Sequence, residues 1–250
     1  MTEMLSALLT IGLRVSGLML FAPFLGSASI PPRIKVILVI AFTAVLYPLR
    51  SQVQPVSVAQ WPWVVGSELL LGIGFGLATN LVFDAVQLAG QVLSIQVGYS
   101  LVNILDPQSQ AESTVMALFH QTIAILIFLA LDVHYWILRA LVNSFAYLPP
   151  GTVNINQAFV AAVMRLGAGV FEVGIQIAAP VLSATLVADL VLGLLGKASP
   201  QLGVMLLGPA LKSMLGLTLL VAVLKYWPPL FERLFMQSTG IMERLLQLAR

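Results

Sequence analysis

The sequence contains no cysteine. This excludes disulfide staples, thiolate metal sites and a cysteine nucleophile, and it leaves the redox compartment open. Charge is scarce as well: only 9% of the 250 residues are Asp, Glu, Lys or Arg, against about a quarter in an average soluble domain. The two histidines, His120 and His134, stand outside any HExxH context, so a metal site has no motif to rest on. Net charge is +2 and the basic residues are scattered. No basic patch interleaves with aromatics, so no nucleic-acid partner is expected. The N-terminus lacks the positive region of a secretory signal. Glu3 sits in it and Arg14 interrupts the first apolar run, which points to a first structural helix.

Catalytic patterns are missing too. Gly98-Tyr99-Ser100 lacks the second glycine of a nucleophile elbow. Gly72, Gly74 and Gly76 spell GxGxG inside a continuous apolar run, without the strand and turn that a phosphate loop requires. Gly72 and Gly76 instead form a small-xxx-small face for close helix packing. Neither an enzyme nor a bound cofactor is expected.

What is present is apolar: 59% hydrophobic residues and a mean hydropathy of +0.99. Apolar helices are expected over residues 4–25, 33–48, 63–83, 115–131, 135–148 and 202–227. Residues 158–195 are too long for one ~20-residue span, and Gly167, Gly169 and Pro180 allow a break there. Turns are expected at 26–32, 49–62, 149–156 and 196–201, where Gly, Pro, Ser and Asn collect. Pro228-Pro229 is expected to stop a helix. Residues 230–250 form an amphipathic tail suited to a membrane surface or a partner.

One stretch, QVLSIQVGYSLVNILDPQSQAESTVM over 91–116, fits neither lipid nor bulk water. Asp84, Gln87, Gln91 and Ser94 share one helical face. From Ser94 to Leu101 polar and apolar residues alternate, a period-two pattern that suits a strand or an extended segment. Asp106-Pro107 then favours a turn. Hydroxyls, amides and small residues with few charges suit a wall or closure of an aqueous path, where irregular backbone at membrane depth is tolerated; an ordinary extramembrane loop is the plain alternative. Gln91, Ser94, Gln96, Gly98, Ser100 and Asn103 are the pore-lining candidates.

Ionisable residues inside apolar segments are functional hints: Arg14, Glu68, Arg165, Glu172, Asp189 and Lys212. Pairing of acids with bases across helices is expected over a proton relay, so Arg14, Glu68 and Lys212 are read as structural charges. Loop charges do not alternate in sign as a conventional topology requires. Arg33 and Lys35 follow the first helix, Arg50 the second, and Asp106 and Glu112 the third.

Three blocks in order, RVSGLMLFAPFLGSASIPPRIKVILVIAFTAVLYP (14–48), ELLLGIGFGLATNLVFDAVQLAGQVLSIQVGYSLVNILDPQSQAES (68–113) and ADLVLGLLGKASPQLGVMLLGPALKSMLGL (188–217), resemble the FliR family of flagellar and type III secretion export-gate proteins. Lys197 and Gly203 depart from the family pattern, where Arg and Asn are expected. The resemblance implies an all-α membrane protein of bent helical hairpins. A FliP-like part over 1–165 would precede a FliQ-like hairpin and amphipathic helix over 166–250. It implies a pore for unfolded export substrates, built with FliP-like and FliQ-like subunits and other export-apparatus proteins. The place it implies is the bacterial inner membrane, at the flagellar basal body or in an injectisome. It further implies a plug of Ile104, Leu105, Asp106, Pro107, Gln108, Ser109, Gln110, Ala111 and Glu112. A small proton-coupled transporter using Glu68, Glu172 or Asp189 is the alternative from the residues alone.

Overall fold

The structure is a computed structural model that describes residues 2–23, 26, 30–52, 58–98, 114–199 and 204–250. In chain order its helices are α1 (Thr2–Phe21), α2 (Pro32–Leu46), two 3-10 turns (Tyr47–Gln52 and Val58–Gln60), α3 (Trp61–Val97), α4 (Val115–Ala130), α5 (Val133–Tyr147), α6 (Gln157–Ala198), α7 (Val204–Leu224) and α8 (Trp227–Leu248). No strand occurs among the described residues. Among the described residues four helices are long and apolar enough to cross a membrane, or up to six when each of two bent pairs counts as one span. The chain is thus an all-α membrane protein. α3 has 37 residues and α6 has 42, about 55 and 63 Å at ~1.5 Å per residue. Both exceed the ~30 Å hydrocarbon core of a bilayer.

Local chemistry sets the helix ends. α2 starts at the second proline of a Pro31-Pro32 pair, where proline's fixed φ is pre-organised and its missing N–H leaves nothing unpaired. Thr114 caps α4, its side chain accepting from the Ala117 N–H at 3.2 Å. Between α4 and α5, Asp132 adopts φ 55°, a left-handed conformation that Asp tolerates better than most residues.

The chain forms two compact units, each discontinuous in sequence. The first comprises Met1–Leu81, Asp132–Ala168 and Leu234–Arg250; the second comprises Val82–Leu131 and Gly169–Arg233.

In the first unit α1 lies on the N-terminal half of α3 with backbones almost touching. A Cβ on Gly72 would strike the Arg14 carbonyl oxygen, and one on Gly17 would lie 2.5 Å from the Leu69 oxygen. Gly76 faces Leu18 and Phe21 in the same way. The small-residue face is therefore occupied within the chain. The C-terminal part of α8 belongs to this unit as well. Leu245 reaches Gly74, and Thr79 sits 3.9 Å from the Met242 sulfur. The Asn154 N–H donates to the Ala249 carbonyl and Asn156 to that of Leu248.

In the second unit α3 and α4 form an antiparallel pair. Phe83 meets Phe128 edge to face at 5.4 Å, while Gly90 is so close to Ala117 that a Cβ would lie 2.5 Å from its Cα. α6 crosses α3 where Gly174 meets Leu88 and the Ala85 carbonyl. α6 and α7 run antiparallel, with Asp189 opposite Lys212 and Leu192 beside Gly208.

Four local expectations are corrected. The alternation at 94–97 is helical, because α3 runs on to Val97. Burial of Ala89, Leu93 and Val97 follows a 3.6-residue period, and packing overrides the local pattern. α6 continues through Gly167, Gly169 and Pro180. In apolar surroundings every backbone group must pair within the segment, and a proline is accommodated. Pro228-Pro229 opens α8 instead of ending α7. Finally, the tail is not a free amphipathic surface helix. Its face of Phe231, Leu234, Phe235, Ser238, Met242, Leu245 and Ala249 is buried in its own chain.

Candidate functional site

The site is built around the last turns of α3, which lead into the polar stretch singled out by sequence. Gly98 follows with φ +92° and donates its N–H to the Ile95 carbonyl at 3.2 Å. Nothing lies within 4 Å of where its Cβ would be, so backbone conformation alone favours glycine there. A left-handed glycine after the last helical residue is the usual way to satisfy a terminal carbonyl and turn the chain.

Three contacts hold this end. Gln96 Nε2 donates to Asp189 Oδ2 at 3.0 Å. Lys212 Nζ bridges both oxygens of the same carboxylate, at 2.8 and 2.9 Å. Ser213, the next residue of α7, donates its hydroxyl to the Val97 carbonyl at 2.8 Å. Beneath them the backbone of α7 closes on α3: a Cβ on Gly216 would be 2.6 Å from Val97 Cγ2, and Val97 is buried.

Of the pore-lining candidates, Gln91 and Gln96 are half-buried, and Ser94 is fully buried with no partner for its hydroxyl. Ser100, Asn103 and the plug residues 104–112 lie outside the described residues.

In the first unit Arg14 and Glu68 are both fully enclosed and bond at 2.8 Å from Nε to Oε2. The guanidinium also donates to Ser144 Oγ and the Leu148 carbonyl, each at 3.1 Å, and lies 4.5 Å over the Phe145 ring. The other Glu68 oxygen accepts the Gly151 N–H at 3.0 Å. The pair thus ties α1, α3, α5 and the turn after α5 together. A buried charge pair survives when its remaining donors and acceptors are satisfied in this way. Arg165 and Glu172 are exposed and join neither group.

Two features escaped sequence reasoning. Ser213 carries no local signal, because its partner is 116 residues away. His120 is fully buried, with Nδ1 2.7 Å from the Met116 carbonyl and its ring 5.0 Å from that of Trp227. His120 Nε2 and Trp227 Nε1 both lack partners. Among the described residues no three His, Asp or Glu side chains are grouped to hold a metal ion.

This arrangement defines a class before a family: a helical membrane protein in which charges within its apolar helices pair across helices, Arg14 with Glu68 and Lys212 with Asp189. The chain belongs to the bacterial export proteins, family 1, whose sequence model matches residues 5–238. It is 31% identical over 231 residues to the flagellar biosynthetic protein FliR of Escherichia coli K12, covering 92% of this chain and 88% of that one. It is 25% identical over 254 residues to FliR of Bacillus subtilis 168, covering 98% and 96%. The corresponding protein of Aquifex aeolicus VF5 is 28% identical over 222 residues, covering 88% and 85%.

Proposed function

We propose that this chain is a non-enzymatic subunit of the flagellar protein export gate in the bacterial inner membrane, at the basal body. With FliP-like and FliQ-like subunits it surrounds a path for unfolded export substrates, and residues 104–112 act as a plug. Near full-length similarity to proteins named for flagellar biosynthesis supports the setting. The observation that carries the plug is the antiparallel α3–α4 pair. Its facing residues, Phe83 with Phe128 and Gly90 with Ala117, place residues 98 and 114 at the same end of one rigid frame. A polar segment held at both ends by helices is suited to a positioned functional role. A FliP-like part over 1–165 and a FliQ-like hairpin with the amphipathic C-terminal helix over 166–250 are a division by ancestry within this reading, its boundary falling inside α6.

Glu68 and Asp189 are each bonded to a cation, which leaves the proton-coupled transporter without a free membrane carboxylate at those positions. Deleting residues 104–112 tests the plug. Cells carrying the deletion are expected to leak small ions across the inner membrane. A leak equal to that of the parent would remove the plug assignment.

A further inference from the structure

Asp189 serves three helices at once. It lies on α6, binds Lys212 of α7 through both oxygens, and accepts from Gln96 of α3. Lys212 of α7 thus meets Gln96 of α3 through the shared carboxylate, and the next residue of α7, Ser213, bonds the Val97 carbonyl of α3 directly. An isolated ion pair this open to solvent does little, since side-chain entropy and water offset the attraction. Here the surroundings differ. The Lys212 side chain is only 19% exposed although that of Asp189 is 41%, the carboxylate has a second donor in Gln96, and Val97 packs closely on Gly216.

We propose that Asp189, with Lys212, is a positioning clamp that fixes the last turn of α3, and with it the position of Gly98, where the helix ends. The role rests on the export-gate reading for its purpose but not for its existence. The pair is the charged part of the clamp. Ser213 and Gly216 are the neutral part, which sets the distance. With the carboxylate removed, Lys212 loses its counter-charge and Gln96 its acceptor. The helix end is then held only by Ser213 and the packing of Val97, and it frays back from Gly98.

The test is amide hydrogen exchange on the full chain purified in detergent. In Asp189→Ala the amides of residues 94–98 are expected to exchange faster by about tenfold or more, the factor that loss of a charge-assisted hydrogen bond gives. Exchange over 117–128 of α4 should stay as in the parent, which separates release of the clamp from general unfolding. The exchanged pair Asp189→Lys with Lys212→Asp should restore protection, because the Gln96 amide offers a carbonyl as readily as an N–H. Unchanged exchange at 94–98 in Asp189→Ala would overturn the clamp, as would failure of the charge-exchanged chain to recover. Ion leak in cells carrying Asp189→Ala reads the other question. Faster exchange without leak leaves the clamp standing and counts against a seal that depends on this end of α3.

Discussion

Arg14 and Glu68 show what a buried charge does when each of its nitrogens or oxygens has a partner. The guanidinium has a carboxylate, a hydroxyl, a carbonyl and an aromatic face as partners. The carboxylate has the arginine and a backbone N–H. Removing one partner leaves the other charged, enclosed and unpaired. Arg14→Met is therefore expected to destabilise the chain by about 3–5 kcal/mol, the cost typical of breaking a buried pair. The double variant Arg14→Met with Glu68→Met should recover much of that loss, because two apolar side chains need no partners. Thermal unfolding in detergent measures both. A double variant less stable than Arg14→Met would show that the charges add stability beyond compensating each other. Arg14 and Glu68 stood out in the sequence as charges in apolar runs. That they meet each other, and that Ser144, Leu148 and Gly151 complete the cluster, depends on α5 arriving from 130 residues further along.

Among the elements, α3 carries both the closest helix packing and the end of the candidate site. Its glycines have unequal tasks. Gly72 touches the backbone of α1, whereas nothing lies within 4 Å of a Cβ at Gly66. Gly72→Leu must push two backbones apart. Overpacking of this kind costs about 1–3 kcal/mol even where side chains can adjust, and here carbonyl and Cα atoms cannot move aside. The expected result is loss of folded chain from membrane and detergent extracts, before any assembly with partners. Gly66→Ala should be neutral or slightly stabilising, given alanine's advantage of roughly 0.5–1 kcal/mol inside a helix. Normal levels of Gly72→Leu would contradict the α1–α3 contact. The spacing of Gly72 and Gly76 revealed a close-packing face, and only the fold showed that its partner is Gly17 of the same chain. The same helix gave the least reliable local signal. Four residues of alternation at 94–97 carry little weight against a continuous buried stripe.

For the whole molecule, the apolar surface left uncovered is the clearest sign of its medium. Ile37, Ile40, Leu190, Leu194, Met214 and Val221 are all more than half exposed, an arrangement that water does not tolerate over large contiguous areas. The absence of native cysteine makes the surface easy to map. Single cysteines at Leu190 or Met214 should react slowly with a water-soluble maleimide in native membranes, and one at Arg250 quickly. Fast labelling at Leu190 and Met214 would mean that neither lipid nor protein covers them.

By itself the sequence determined the medium, the helical class and the turn at 149–156. These depend on composition and on turn-forming residues, which act locally. The tertiary structure alone decided which charges meet, that α6 passes through Pro180 unbroken, that the amphipathic tail covers its own chain, and that α3 continues to Val97. Each of these depends on what lies opposite a residue in space. A buried neighbour supplies the hydrogen bond, the counter-charge or the excluded water that overrules a local preference.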